Sequence, residues 1–114
     1  MLTKRKIEET AESLSWNVKW YDLNTRHPAV EFETSTTLGQ DLIVRIDFTK
    51  FSAITQKVYD YYLSFDVDYE TSLWIGNDGH GKNGAPYKIV DIVHDMEEAE
   101  KMILRLSEKL EENE

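Results

Sequence analysis

Apolar residues recur along the chain with two different periods, and each period predicts a different kind of element. Near the N-terminus, Ile7, Ala11 and Leu14 are spaced four and three residues apart, which is the spacing of one helical face. Thr3 is placed to act as the N-cap of this segment. The pattern therefore predicts a helix over residues 4–14.

The central part of the chain alternates apolar and polar residues, which is typical of strands that bury one face. The alternation occurs at residues 16–21, from residue 30 to the threonines that follow it, and at residues 42–49. Because the connections between these stretches are short, we expect an antiparallel meander with one face exposed to water.

Helical spacing returns after the strands. Residues 51–64 predict a second helix, with Ser52 as a candidate N-cap. Residues 66–75 are ambiguous between helix and strand. One assignment is a single helical turn followed by a short edge strand at residues 73–75.

The longest apolar stripe lies near the C-terminus, where apolar residues step by three and four over residues 89–110. Pro86 suits the first position of this last helix. Asp95 and Glu98 have the spacing of a capping pair, which would divide the stripe into two helices with a kink near His94.

These elements predict one α+β domain over residues 1–114. We expect an antiparallel sheet of three or four strands packed on helices, in the order α-β-β-β-α-loop-α. The length of 114 residues and the hydrophobic content of 40% suit one folded domain. With no cysteine, no signal-peptide pattern and no membrane-spanning apolar run, we expect a cytoplasmic protein without disulfides.

Charge is distributed unequally along the chain. The formal net charge is −9, and residues 1–59 contain eight acidic and eight basic residues, so residues 60–114 carry the whole excess. A field of this sign repels nucleic acids and anionic membranes, so we predict neither as a direct partner. It would attract a basic protein surface, although an acidic surface can also serve solubility alone.

Four of the five glycines lie within residues 76–84, where Gly76, Gly81 and Lys82 match most of the phosphate-binding pattern G-x-x-x-x-G-K-[ST]. Asn83 replaces the hydroxyl residue of that pattern and no helix begins at the lysine, so the segment disfavours nucleotide hydrolysis. A turn with positive φ angles is the simpler interpretation. An alternative is a contact with an anion, such as phosphate or a nucleotide, through Gly79, His80, Gly81, Lys82 and Asn83.

No spacing in the chain predicts a metal site or a catalytic group. Asp66, Asp68 and Glu70 match the first positions of a calcium-binding loop, but Thr71 stands where that loop needs glycine and Asn77 where it needs glutamate. The three histidines lack the helical spacing of zinc ligands and have no adjacent nucleophile. We therefore predict no catalytic residue, metal or cofactor, and we favour binding over enzyme activity.

The sequence Leu-Trp-Ile-Gly-Asn-Asp-Gly-His-Gly-Lys-Asn-Gly-Ala-Pro at residues 73–86 continues into Asp-Met-Glu-Glu-Ala at residues 95–99. Over about residues 60–110, the chain resembles a family of small acidic proteins of gut bacteria and their mobile elements. That family has no assigned activity, so the resemblance implies no catalytic residue. It implies that the glycine-rich loop is a family feature, and it favours an accessory protein over a metabolic enzyme.

The distribution of charge predicts a protein-binding module whose acidic second half docks on a basic surface. The most specific version of this hypothesis is that the protein mimics nucleic-acid phosphates and inhibits a DNA- or RNA-binding protein, as anti-restriction and anti-CRISPR proteins do. The predicted contact carboxylates are Asp66, Asp68, Glu70, Asp78, Glu97, Glu98 and Glu100. Besides the anion-binding loop, the other alternative is a structural protein that forms a homodimer through residues 89–110.

Overall fold

The computed structural model describes residues 1–114 and has the predicted α+β architecture, with three strands in the sheet. A 3₁₀ turn at Phe51–Ala53 leads directly into the second α-helix. In chain order, the elements are α1 (Lys4–Ser13), β1 (Asn17–Tyr21), β2 (Ala29–Ser35), β3 (Asp41–Asp47), α2 (Ile54–Ser64), α3 (Val67–Ser72) and α4 (Ile89–Glu112). None of these helices combines the length and the apolar character that crossing a membrane requires.

The three strands form the predicted antiparallel meander in the order β1-β2-β3. Val30 lies between Trp20 of β1 and Ile46 of β3, so the apolar positions of the three strands share one face. The opposite face carries polar side chains, among them a row in which Glu31 lies between Lys19 and Arg45. The sheet therefore has one face in the core and one face in water.

The helix α4 fills the core opposite the sheet. It is 24 residues long, which corresponds to about 36 Å. Its apolar stripe joins the apolar face of the sheet in one cluster of 19 buried residues. The buried apolar residues that α4 contributes are Ile92, Met96, Ala99, Ile103, Leu106 and Leu110.

The helix α1 packs against β1 and α4. The predicted N-cap is confirmed, since the hydroxyl of Thr3 accepts a hydrogen bond from the Lys6 N–H at 3.2 Å. Ile7 and Ala11 are fully buried, as the helical spacing predicts. The C-terminal end is attached to the same helix, because the Asn113 amide donates to Thr10 Oγ1 at 3.0 Å.

Three predicted details of the helices are wrong. Ser52 lies inside the 3₁₀ turn, and α2 begins without a side-chain cap. The last helix begins at Ile89 and not at Pro86, because the residues before it close the glycine-rich loop. No kink divides α4 near His94, and the helix is continuous.

The ambiguous segment at residues 66–75 is mostly helical. Asp66 caps α3 by accepting a hydrogen bond from the Tyr69 N–H at 3.1 Å. The backbone then turns, since the Trp74 N–H donates to the Thr71 carbonyl. The edge strand proposed for residues 73–75 is reduced to one isolated bridge between Ile75 and Gly81.

Candidate partner-binding surface

The middle of α4 carries a buried carboxylate that holds a distant turn. Asp95 is 2% exposed, and its two oxygens accept hydrogen bonds from the Thr36 hydroxyl at 2.5 Å and the Leu38 N–H at 3.0 Å. Both donors belong to the turn between β2 and β3. The predicted capping role of Asp95 is therefore wrong: its side chain satisfies another segment, and α4 needs no cap at this point.

The same polar network reaches the glycine-rich loop. The buried Gln40 donates its backbone N–H to Thr36 Oγ1 at 2.9 Å and its side-chain amide to the Gly84 carbonyl at 2.8 Å. Since Thr36 also contacts Asp95, one chain of hydrogen bonds connects α4, the β2–β3 turn and the loop. Buried polar groups that are all satisfied in this way fix the relative position of the segments that carry them.

The glycine-rich loop, residues 76–84, folds back on its own backbone. The Gly76 N–H donates to the His80 carbonyl at 2.7 Å, and the Lys82 N–H donates to the Trp74 carbonyl at 2.7 Å. The His80 N–H donates to the Asp78 carboxylate at 3.0 Å. The N–H groups of Gly79 and Gly81 are also bonded within the chain. In this conformation, an anion would find side chains such as those of Lys82 and Asn83 but few backbone donors.

The steric need for glycine is greatest at Gly81. A Cβ atom there would lie 1.7 Å from the Pro86 carbonyl oxygen and 3.3 Å from Ile92 of α4. Gly79 has open space around it, but its φ of +80° favours glycine. The His80 ring stacks on Tyr87 with centroids 4.2 Å apart. The glycines thus have structural roles in closing the loop onto the start of α4.

Two of the four predicted carboxylates around α3 and in the loop accept hydrogen bonds within the chain. Asp66 caps α3 and Asp78 accepts the His80 N–H, whereas Asp68 is exposed. Burial, together with the nearby Asp66, raises the pKa of Glu70 above its usual range. Burial also raises the pKa of Tyr61, with a further contribution from Glu70, so these groups lie together where α2 meets α3.

The three predicted carboxylates of α4 divide between two flanks of the helix. Glu98 forms an ion pair with Lys101 at 3.2 Å. Glu97 is exposed and Glu100 is half-buried, and neither forms an ion pair. At about 100° per residue, Glu97 and Glu100 share one flank, and Glu98 lies on the other side of the solvent-facing surface.

Two further carboxylates, which are not among the contact residues predicted from the sequence, continue that flank. Glu108 and Glu111 are exposed, form no ion pair, and lie on the same side of the helix as Glu97 and Glu100. The row from residue 97 to residue 111 is about 21 Å long. Its helical spacing is visible in the sequence and could have identified both residues. We call these four glutamates the carboxylate row.

The C-terminal half of the carboxylate row borders a groove between α2 and α4. The groove has a volume of about 480 Å³, and Tyr59 is its only large apolar side chain. The Thr55 hydroxyl in its wall is buried and has no hydrogen-bond partner. The residues that line the groove are Ser52, Thr55, Gln56, Tyr59, Ser107, Glu108, Glu111 and Glu114.

The structure assembles no group of three His, Asp or Glu side chains that could hold a metal ion. Comparison of the chain with models of protein families, with curated proteins and with solved structures finds no match. The resemblance to small acidic proteins of gut bacteria stays a prediction, and the function has to be argued from the surface itself.

Proposed function

We propose that this chain is a non-enzymatic protein-binding module that docks its carboxylate row on a basic surface of another protein. The observation that carries the proposal is that Glu97, Glu100, Glu108 and Glu111 lie on one flank of a long helix and form no ion pair within the chain. Unpaired carboxylates keep their full capacity to accept hydrogen bonds from Lys and Arg side chains.

The helix gives this row a fixed geometry. Residues 97–111 belong to an unbroken helix whose opposite side is in the core, so the backbone beneath the carboxylates loses little freedom on binding. Proteins that bind DNA or RNA present rows of Lys and Arg to the phosphates. A rigid row of carboxylates about 21 Å long can form ion pairs with the same Lys and Arg side chains. The partner we propose is therefore a nucleic-acid-binding protein, which this chain would inhibit by mimicry.

The other predicted contact residues take a secondary place in this proposal. Glu98 is already paired with Lys101, but exposed ion pairs contribute only about 0–1 kcal/mol and can be exchanged for a partner's cation. Asp66 and Asp78 already accept backbone hydrogen bonds and would add long-range attraction. Asp68 is exposed and available, whereas the raised pKa of Glu70 reflects a carboxyl that ionises less readily.

No specific observation in the structure supports either alternative function. The glycine-rich loop uses most of its N–H groups internally, which leaves few of the backbone donors that a phosphate-binding loop needs. Ile103 and Leu106 of the α4 stripe are fully buried in the core, so a homodimer that uses this stripe would require the core to open.

The proposal is tested with two variants that change the net charge equally. The first replaces the carboxylate row, Glu97, Glu100, Glu108 and Glu111, with glutamine. The control replaces four exposed carboxylates outside the predicted contact residues, Glu12, Asp41, Asp91 and Glu112, with their amides. Tagged forms of the protein are used to capture partners from a lysate of the source cells at low and high salt, and the captured proteins are identified by mass spectrometry.

We expect the natural sequence and the control to capture the same nucleic-acid-binding protein at low salt. We also expect high salt and an excess of duplex DNA or of RNA to release it, and the row variant to capture much less of it. Equal capture by the two variants would contradict the role of the row. Capture that neither duplex DNA nor RNA displaces would contradict mimicry while leaving protein docking intact.

A further inference from the structure

A pocket on another side of α2 brings basic side chains together in a chain that is otherwise strongly acidic. It has a volume of about 460 Å³ and is lined by Arg26 and His27 from the β1–β2 turn, Arg45 from β3 and Lys57 from α2. Three elements that are distant in sequence thus supply cations to one concave site. The volume is in the range of pockets that hold small molecules.

The guanidinium of Arg45 is held in place at the edge of this pocket. Its central carbon lies 5.0 Å from the centre of the Tyr21 ring, and its nitrogens lie 3.5 Å from Glu31 and 3.9 Å from Asp47. The nearby Glu31 carboxylate raises the pKa of the Tyr21 hydroxyl. Arg45 remains 48% exposed, so its planar fork is positioned without being covered.

The turn that carries Arg26 is also ordered by hydrogen bonds. The Thr25 N–H and hydroxyl both donate to the Asp22 carbonyl, at 3.1 and 2.8 Å, and the His27 N–H donates to Thr25 Oγ1 at 3.1 Å. The turn is tied to the end of β3, since the Phe48 N–H donates to the Pro28 carbonyl at 3.1 Å. A cation on such a turn loses little backbone freedom when it binds a ligand.

The charges in the pocket indicate the chemistry of a ligand. Arg26 and Lys57 form no ion pair within the chain, so two cations are free for an anionic group. Asp22 and Asp47 line the same pocket and accept hydrogen bonds only. A ligand that suits both sets of groups carries an anion at one end and hydroxyl donors beside it.

We propose that this pocket binds a small phosphorylated molecule that carries hydroxyl groups. Arg26, Arg45 and Lys57 contact the phosphate, and Asp22 and Asp47 accept hydrogen bonds from the hydroxyls. Arginine guanidinium groups and lysine ammonium groups commonly bind phosphate in proteins. The site is separate from the carboxylate row and does not depend on the proposed docking function.

The test is an NMR titration of the ¹⁵N-labelled full chain with ribose 5-phosphate, inorganic phosphate and ribose as probes. We expect ribose 5-phosphate to shift the amide signals of residues 22–28, 45–49 and 57 in a saturable way. Inorganic phosphate should shift the same signals with lower affinity, because it supplies no hydroxyls to Asp22 and Asp47. Ribose alone should leave them unchanged.

Two double variants that lose the same charge distinguish specific binding in the pocket from nonspecific electrostatic attraction. Arg26→Ala with Lys57→Ala should weaken ribose 5-phosphate binding by about tenfold or more, because two charge-assisted contacts are lost. The control, Lys6→Ala with Arg105→Ala, removes one lysine and one arginine that are exposed and outside the pocket, and should bind as the natural sequence does.

The proposal is overturned if the shifts do not saturate, if they lie in residues 76–84 instead, or if the two double variants bind equally. Equal affinity for ribose 5-phosphate and inorganic phosphate would contradict the role of Asp22 and Asp47. The single variant Arg45→Lys keeps the charge but loses the planar fork, and we expect it to bind more weakly than the natural sequence. The dispersion of the amide signals shows in the same spectra that each variant is folded.

Discussion

The two flanks of α4 carry similar numbers of carboxylates but use them in different ways. On one flank, Asp95 is buried and holds the β2–β3 turn, while Glu98 and Glu112 form ion pairs with nearby lysines. On the other flank, the four glutamates of the carboxylate row have no ion pair. The comparison shows that an acidic sequence does not by itself define an acidic binding surface. A carboxylate is most readily available to a partner where the fold has not already given it a donor.

The largest effect on stability is expected at Asp95. Replacing it with alanine leaves the Thr36 hydroxyl and the Leu38 N–H without their acceptor. Each buried donor left unsatisfied costs about 1–3 kcal/mol. Because Leu38 is half exposed and water can partly satisfy its N–H, Asp95→Ala should lower the free energy of unfolding by about 2–4 kcal/mol. Urea unfolding followed by circular dichroism measures this change.

The matched control on the opposite flank is Glu97→Ala, which removes an exposed carboxylate two residues away in the same helix. We expect it to change the free energy of unfolding by no more than about 0.5 kcal/mol. If the two alanine variants are equally stable, the distinction between structural and available carboxylates in α4 is wrong.

Like Asp95, the glycine-rich loop has a structural role, because the Gly84 carbonyl accepts a hydrogen bond from Gln40 and Gly81 packs on Ile92. Gly81→Ala would place a methyl group 1.7 Å from the Pro86 carbonyl oxygen, so the backbone has to move. We expect a loss of about 1–3 kcal/mol in the free energy of unfolding, which thermal or urea unfolding can measure.

Gly79→Ala separates this steric effect from the effect of turn geometry. The added methyl group meets no neighbouring atom, but alanine is strained at the φ of +80°. A smaller loss of about 1 kcal/mol is expected. Equal losses in both variants would mean that turn geometry, and not the contact with Pro86, decides the need for glycine in this loop.

Neutralising the carboxylate row should leave the fold intact or make it slightly more stable. Glu97 and Glu100 repel each other three residues apart, as do Glu108 and Glu111, and each such pair destabilises a helix by about 0.2–0.5 kcal/mol. The variant with four glutamines should therefore gain up to about 1 kcal/mol at low salt, with the gain reduced at high salt. A marked loss of stability would show that the row has a structural role.

The main elements could be predicted from the sequence because the period of apolar residues is a local property of each segment. The alternation of core-facing positions in the strands and the buried stripe of α4 follow from it directly. The role of Asp95 could not be predicted, because its donor Thr36 lies 59 residues away. The sequence pattern predicts a start of α4 three residues too early for a similar reason, since the contact between Pro86 and Gly81 exists only once the loop has closed.

The two candidate sites differ in the same way, since one can be predicted from local spacing and the other depends on contacts between distant segments. Glu97 and Glu100 were identified from charge, and the helical spacing of Glu108 and Glu111 would have added them to the same flank. The pocket around Arg26 and Lys57 has no signature in the sequence, because its residues come from a turn, a strand and a helix. A site on one helix can be found from spacing, whereas a site shared by several elements requires the tertiary fold.

The smallest expected effect concerns Glu70 and extends the comparison to α3, which packs against α4. The pKa of Glu70 is raised by burial and by Asp66, so the fold favours its protonated form. The contribution of protonated Glu70 to stability is fully present below the pKa of this group in the unfolded chain and is lost as the pH rises through its folded pKa.

Glu70→Gln should therefore raise Tm at about pH 7 and leave it nearly unchanged at about pH 3.5. Because solvent screens this half-buried carboxyl, we expect a gain below about 0.5 kcal/mol. Asp68→Asn removes an exposed charge from the same helix and serves as the control; if it gives the same gain over the same pH range, overall charge and not the burial of Glu70 is the cause.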